Sequence, residues 1–161
     1  MMKKILMVCL GNICRSPLAE EVMRSKIKKY GLNAKVDSCG IGGWHVGELP
    51  DDRAQRTALK HGLDISHQRC RKITLNDFDN FDVIYAMDGE IFSKLSQMAL
   101  QGRKEQEKIK LFMNELHPNA NLPVPDPYGG GMIQFEEVWE MIDATCEKIA
   151  ERISGKIVKE W

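Results

Sequence analysis

The sequence lacks the features that mark nucleic-acid-binding and membrane proteins. Its 23 Lys and Arg residues balance 23 Asp and Glu residues, so no bulk charge attracts a nucleic acid or an anionic membrane, and we expect neither as a partner. No apolar run is long enough to span a bilayer. The apolar run near the start ends at Gly11-Asn12 without a small-residue cleavage site, unlike a signal peptide.

Closely spaced cysteine pairs are also missing. The five cysteines are odd in number and scattered along the chain, which argues against a disulfide scaffold or a zinc site and fits a reducing compartment. We therefore expect a cytoplasmic protein.

A length of 161 residues predicts one domain, spanning residues 1–161, with a single substantial core.

One stretch joins a strand pattern directly to a helix pattern. The apolar residues 5–8 read as a buried parallel strand, and the segment from Pro17 to about residue 30 has helical spacing. The loop between them carries Cys9 and, six positions later, Arg15. Backbone N–H groups and the dipole at a helix N-terminus form an anion site, and there both the dipole and a guanidinium favour thiolate over thiol. The loop therefore predicts a sulfur nucleophile that attacks phosphorus.

Strands and helices alternate along the rest of the chain. Predicted strands cover residues 5–8, 34–38, 82–87 and 108–112, and predicted helices cover residues 17–30, 51–61, 75–78, 90–100 and 134–154. This alternation predicts a three-layer α/β fold of the flavodoxin-like or Rossmann-like kind, with a four-stranded parallel sheet flanked by helices on both faces. Ligands of such sheets bind outside the carboxyl ends of the strands. The Cys9 loop, Ser38 and Asp88 follow strands directly, and a long prolyl loop with Asp126 follows the fourth.

Two motifs together resemble a known family. Cys9-Leu10-Gly11-Asn12-Ile13-Cys14-Arg15-Ser16, with the distant Asp126-Pro127-Tyr128, is similar to the low-molecular-weight protein tyrosine phosphatases. The resemblance covers nearly the whole chain. It implies a hydrolase that needs no metal and no cofactor, acts on phosphotyrosine-containing proteins through a cysteinyl-phosphate, and binds phosphate, vanadate or sulfate. It also implies a monomer or a weak dimer.

The resemblance and the chemistry assign roles to residues. Cys9 is the predicted nucleophile, Arg15 holds phosphoryl oxygens bidentately, and Asp126 gives a proton to the leaving oxygen and then acts as base for water. The predicted phosphate-binding residues are Leu10, Gly11, Asn12, Ile13, Cys14, Arg15 and Ser16, with Ser38, His67 and Asp88 supporting the loop. Trp44, Tyr128 and Ile13 are the predicted walls of a substrate cleft. Trp44 stands among glycines, and its residue pattern alone fits a core-edge cap as well as a cleft wall.

Several alternatives stay open. A phosphoarginine phosphatase differs mainly inside the loop, where its relatives carry threonine at the position of Ile13. An arsenate reductase shares the loop and fold but needs a further pair of cysteines, and Cys39, Cys70 and Cys146 form no such pair. A phosphopeptide-binding module needs neither Cys9 nor Asp126. Cys9 and Cys14 are also a candidate redox pair, in which a peroxide-induced disulfide switches activity off.

Overall fold

A single parallel sheet organises the part of the chain that the computed structural model describes, residues 1–155; residues 156–161, the end of the predicted domain, lie outside it. The strands are β1 (Lys3–Cys9), β2 (Ala34–Gly40), β3 (Val83–Ala86) and β4 (Ile109–Leu111), in the order β2-β1-β3-β4. The predicted four-stranded parallel sheet is confirmed.

Helices cover both faces of the sheet because the strands are apolar on both sides. The helices are α1 (Arg15–Tyr30), α2 (Asp52–Lys60), α3 (Leu75–Asn80), α4 (Gly89–Gln101) and α5 (Met132–Ile153). On β1, Ile5 and Met7 face the cluster that α1 and α5 complete, whereas Leu6 and Val8 face the one that α3 and α4 complete. No helix within residues 1–155 combines the length and apolar character needed to cross a membrane.

Helix α1 begins at Arg15, earlier than the predicted start at Pro17. The Leu18 N–H donates to the Cys14 carbonyl at 3.3 Å, which closes the first helical turn two residues upstream. Arg15 and Ser16 are therefore buried in the first turn of α1 and do not belong to an irregular loop.

The last strand, β4, ends at Leu111, one residue earlier than predicted, because a short 3-10 helix, Phe112–Glu115, follows at once.

The carboxyl edge of β1 and β3 collects the segments that the sequence singled out. The chain leaves β1 towards β2 on one side, and β3 lies on the other, so the strand order reverses between β1 and β3. Ligands bind at such a point in open α/β sheets. The Val124 N–H donates to the Met87 carbonyl at 2.7 Å, which attaches the loop before α5 to this edge.

Candidate active site

The loop between β1 and α1 turns its carbonyl groups outward. Five of them accept hydrogen bonds from surrounding segments: Cys9 from the Ile41 N–H, Leu10 from the Gly42 N–H, Asn12 from the Cys70 thiol, Ile13 from the Asp51 N–H and Cys14 from the Leu18 N–H. A trans peptide directs its N–H opposite to the preceding carbonyl, so the amides that follow these carbonyls point to the inner side of the loop. With the N-terminus of α1 they form a setting suited to an anion.

Asn12 holds the centre of this loop in a left-handed conformation, with φ of 59°. Its buried amide nitrogen donates to the hydroxyls of Ser16 at 2.8 Å and Ser38 at 3.0 Å. Its amide oxygen accepts from the Arg71 N–H at 3.0 Å. Gly40 allows the strand beside it to come close, since a methyl group there would lie 2.9 Å from the Leu10 carbonyl oxygen. The loop shape is therefore set by contacts from several parts of the chain.

Cys9 lies at the base of the loop beside a hydroxyl. Its Sγ is 3.0 Å from Ser16 Oγ, and that hydroxyl also lies 3.3 Å from the Cys39 carbonyl. A serine hydroxyl has one proton to give. With a thiol at Cys9 the proton goes to the carbonyl, and with a thiolate it turns to the sulfur. The Ser16 hydroxyl can therefore form a hydrogen bond with Cys9 either as a thiol or as a thiolate.

Arg15 is buried opposite Cys9 and is anchored by one nitrogen. Its Nη1 donates to Asp88 at 2.7 Å and to the Val124 carbonyl at 2.9 Å. Its Nη2 lies 3.7 Å from the carboxylate of Asp126. Burial alone would lower the pKa of the Arg15 guanidinium, but the negative charges of Cys9, Asp88 and Asp126 raise it above its ordinary value. The site therefore keeps a fixed positive charge.

The other cysteines are kept as neutral thiols. Burial raises the pKa of Cys14, and the charges of Asp51 and Cys9 add to the shift. Burial likewise raises the pKa of Cys39 and Cys146, and that of Cys70 to about 11. All five cysteines are free and buried.

A cleft of about 180 Å³ opens above Cys9 and Arg15. Its lining is Cys9, Leu10, Gly11, Ile13, Cys14, Arg15, Trp44, His45, Asp126 and Tyr128. The structure thus brings the predicted nucleophile, arginine, acid and aromatic residues together at one opening. His45 was not predicted. Its Nδ1 lies 2.6 Å from Glu48, and its only signal in the sequence is its position beside Trp44 in a glycine-rich loop.

Trp44 reaches the cleft by resting on a glycine. The indole is 68% exposed, so it does not cap the core, and a methyl group on Gly42 would lie only 1.8 Å from its Cζ3 atom. Tyr128, which lines the same cleft, is also more than half exposed. The two rings therefore form walls and contribute little to the core.

Ser38 and Asp88 contact the loop, but the prediction for His67 needs correction. Ser38 accepts from Asn12 and donates to Glu20 at 2.7 Å. The His67 ring is 57% exposed and lies 3.5 Å from Glu21; no hydrogen bond joins it to the loop within residues 1–155. The Arg71 N–H binds the Asn12 amide oxygen instead.

His67, Glu20 and Glu21 lie close enough to share a metal ion, with ligand atoms within 4.8 Å of one another. Arg24 already donates to both carboxylates. The guanidinium of one side chain on the same helix therefore already occupies an oxygen of each carboxylate, which disfavours a further cation there.

The fold and the site define a parallel α/β protein with an anion-binding loop built around a cysteine and an arginine, and known proteins share both. A family model described as low molecular weight phosphotyrosine protein phosphatase matches residues 4–159. The low molecular weight phosphotyrosine protein phosphatase of Schizosaccharomyces pombe is 41% identical over 87% of this chain and 90% of its own. YfkJ of Bacillus subtilis, a low molecular weight protein-tyrosine-phosphatase, is 40% identical over 94% of this chain and 96% of its own.

Solved structures agree with these matches. The crystal structure of YfkJ superimposes with a TM-score of 0.87 and covers 98% of both chains. The YwlE arginine phosphatase, at 22% identity, has a TM-score of 0.84 and covers 94% of this chain and 95% of its own, so it shares the fold. The chain belongs to the low molecular weight phosphotyrosine protein phosphatase family and is a hydrolase of the protein-tyrosine-phosphatase class. The resemblance drawn from its two motifs is confirmed.

Proposed function

We propose that this chain hydrolyses phosphotyrosine in proteins through a cysteinyl-phosphate, without a metal ion. The observation that carries the proposal is the shared cleft of Cys9, Arg15 and Asp126, above a loop whose carbonyls turn away from it. Amide groups and a buried guanidinium stabilise the equatorial oxygens of the phosphoryl group in the transition state of its transfer. Phosphate, vanadate and sulfate are expected to bind at the same place.

The first chemical step transfers the phosphoryl group to sulfur. The Cys9 thiolate attacks phosphorus, a P–S bond forms, and the bond from phosphorus to the tyrosine oxygen breaks. Asp126 gives its proton to that oxygen, so tyrosine leaves neutral. Arg15 holds two phosphoryl oxygens with Nε and Nη2, while its Nη1 stays on Asp88 and Val124.

The second step returns the enzyme to its starting state. Asp126, now ionised, takes a proton from water, which attacks phosphorus from the side that tyrosine left. The P–S bond breaks, inorganic phosphate leaves, and Cys9 is again a thiolate accompanied by Ser16 Oγ at 3.0 Å. Asp126 therefore serves as acid and then as base.

The walls of the cleft favour an aromatic leaving group. Trp44 and Tyr128 offer flat faces on which a phenyl ring stacks, each contributing ~1 kcal/mol beyond area burial. Ile13 offers a branched apolar edge and no hydroxyl for a guanidinium. A cysteine that lies below such walls is hard for the shorter phosphoserine to reach. The buried Cys39, Cys70 and Cys146 speak against arsenate reduction, which needs a further pair of cysteines that can take over the oxidation from the nucleophile.

Steady-state hydrolysis with a chelator present tests the proposal. Phosphotyrosine peptides should be preferred over phosphoserine and phosphoarginine peptides, and Ile13→Thr should raise relative activity on phosphoarginine. Asp126→Asn should slow phenyl phosphate by on the order of 10²-fold and nitrophenyl phosphate far less, because only phenolate needs the proton. Equal slowing of the two esters by Asp126→Asn would show that Asp126 is not the proton donor. Hydrolysis of phosphoarginine peptides as efficient as that of phosphotyrosine peptides would contradict the proposed substrate and leave the cysteine mechanism standing.

A further inference from the structure

Arg53 lies between the loop that carries Asp126 and Asp51, a neighbour of the phosphate loop. It lies in the first turn of α2, and its side chain is partly buried, with 29% of its surface exposed. Its Nη1 donates to the Gly130 carbonyl at 2.6 Å, in the loop that carries Asp126. Its Nε and Nη2 donate to the carboxylate of Asp51 at 3.0 Å and 2.9 Å. One planar group thus connects two segments that are distant in sequence.

The guanidinium also contacts two aromatic rings. It lies 5.5 Å from the centre of the Tyr128 ring and 4.8 Å from that of Phe135. Phe135 is fully buried in the core at the start of α5. Arginine favours the faces of aromatic rings, so Arg53 links the exposed Tyr128 to an immobile ring behind it.

Asp51 extends this connection to the phosphate loop. Its N–H donates to the Ile13 carbonyl at 2.8 Å, and its carboxylate caps α2 by accepting from the Arg53 N–H at 2.8 Å. Partial burial opposes ionisation, but the hydrogen bonds and charge of Arg53 lower the pKa of Asp51. Asp51 therefore stays ionised at neutral pH and keeps Arg53 in place.

We infer that Arg53 is a positioning residue that fixes the Asp126–Tyr128 segment relative to the phosphate loop. The inference rests on the proposed function, since it gives that segment the acid and one wall of the cleft. Its loss should leave the anion site intact, because no loop amide and no bond of Arg15 depends on it. It should instead misplace the proton donor and loosen Tyr128.

Comparison of Arg53→Met with Arg56→Met measures this effect. Arg56 is one turn along α2, exposed and paired with Asp52, so it controls for loss of a charge from the helix. Arg53→Met should lower kcat on phenyl phosphate by on the order of tenfold and on nitrophenyl phosphate by about twofold, because a misplaced acid matters most for a poor leaving group. KM for both esters should rise, whereas competitive inhibition by inorganic phosphate should stay within about twofold of wild type.

A double variant separates a role through Asp126 from general damage. In the Asp126→Asn background, Arg53→Met should cause no further gain in selectivity for the better leaving group, because residues that act through one group are not additive. If Arg53→Met unfolds, Arg53→Lys supplies the same test, since it keeps the charge but cannot bridge Asp51 and Gly130 together.

Two failures are distinguishable. Asp126→Asn without leaving-group selectivity would refute the proposed acid role and this inference with it. If Asp126→Asn gains selectivity for the better leaving group as expected, an Arg53 variant that matches Arg56→Met or slows both esters equally would overturn the inference alone.

Discussion

The floor and the rim of the cleft are held in different ways. On the floor, Cys9, Asn12 and Arg15 are at most 3% exposed, and each contacts several parts of the chain. On the rim, Trp44 and Tyr128 are 68% and 54% exposed; Trp44 lies against Gly42, and the Arg53 guanidinium lies over the Tyr128 ring. Recognition of the phosphoryl group is therefore built into the fold, whereas choice of leaving group depends on a few local contacts.

Asn12→Ala should disrupt the phosphate loop that forms the floor of the cleft, and it should cause the largest loss of stability. It removes two buried hydrogen bonds and a partly buried one and puts alanine in a left-handed conformation, at a cost of about 2–4 kcal/mol in the free energy of unfolding. Urea titration measures this, and kcat should fall with it.

Asn119→Ala is the matched control, since Asn119 is exposed and has φ of 62°. It carries only the conformational cost of about 1 kcal/mol. Equal losses in the two variants would show that the Asn12 side-chain bonds do not stabilise the loop.

Closure of the predicted Cys9–Cys14 disulfide should depend steeply on pH. Peroxide converts the Cys9 thiolate to a sulfenic acid, which Cys14 then attacks with loss of water. The raised pKa of Cys14 keeps it protonated, so the closure rate should rise about tenfold for each pH unit towards alkaline conditions. Mass spectrometry of quenched samples follows the link. Sulfinic acid at Cys9 with Cys14 still reduced at every pH would end the redox hypothesis.

Gly42→Ala should disturb only the rim. The added methyl displaces the Trp44 indole, so KM for aryl phosphates should rise about fivefold, the equivalent of ~1 kcal/mol of lost stacking. Inhibition by inorganic phosphate should not change. Gly43→Ala is the control, because its methyl would make ordinary contacts with the side chains of Lys72 at 3.5 Å and Val46 at 3.8 Å and would not meet the indole. A similar rise in both variants would mean that Trp44 is not a wall.

His67→Ala should have the smallest effect. The ring is exposed and touches Glu21 at its edge, so kcat/KM should stay within about twofold of wild type. Ser38→Ala, which removes a bond to Asn12, should lower kcat/KM more. A larger fall in kcat/KM for His67→Ala than for Ser38→Ala would show that His67 supports the phosphate loop after all.

The sheet, its order of strands and helices and the position of the Cys9 loop could be predicted because they depend on local patterns. Short continuous apolar runs and helical spacing are readable along the chain, and parallel strands place their carboxyl ends at one edge. Cys9, Ser38 and Asp88 came together for that reason. The start of α1 at Arg15 could not be predicted, because it depends on the backbone bond from the Leu18 N–H to the Cys14 carbonyl, which no residue pattern marks.

The supporting contacts could not be predicted because they join segments far apart in sequence. Arg53 reaches Gly130 across 77 residues, and Cys70 reaches the Asn12 carbonyl across 58. No periodicity encodes such pairings. His67 was assigned to the loop from family resemblance, but a backbone N–H of Arg71 fills that place, which no side-chain pattern reveals.

Trapping the phosphoenzyme tests the central claim most directly, namely that the buried floor transfers phosphate through Cys9. Wild type and Cys9→Ser are mixed with a phosphotyrosine peptide, quenched within one turnover, digested and analysed by mass spectrometry. We expect a phosphoryl group on the Cys9 sulfur of wild type, none in Cys9→Ser, and inorganic phosphate that still binds the variant. A phosphoryl group on another residue, or undiminished turnover by Cys9→Ser, would contradict the account.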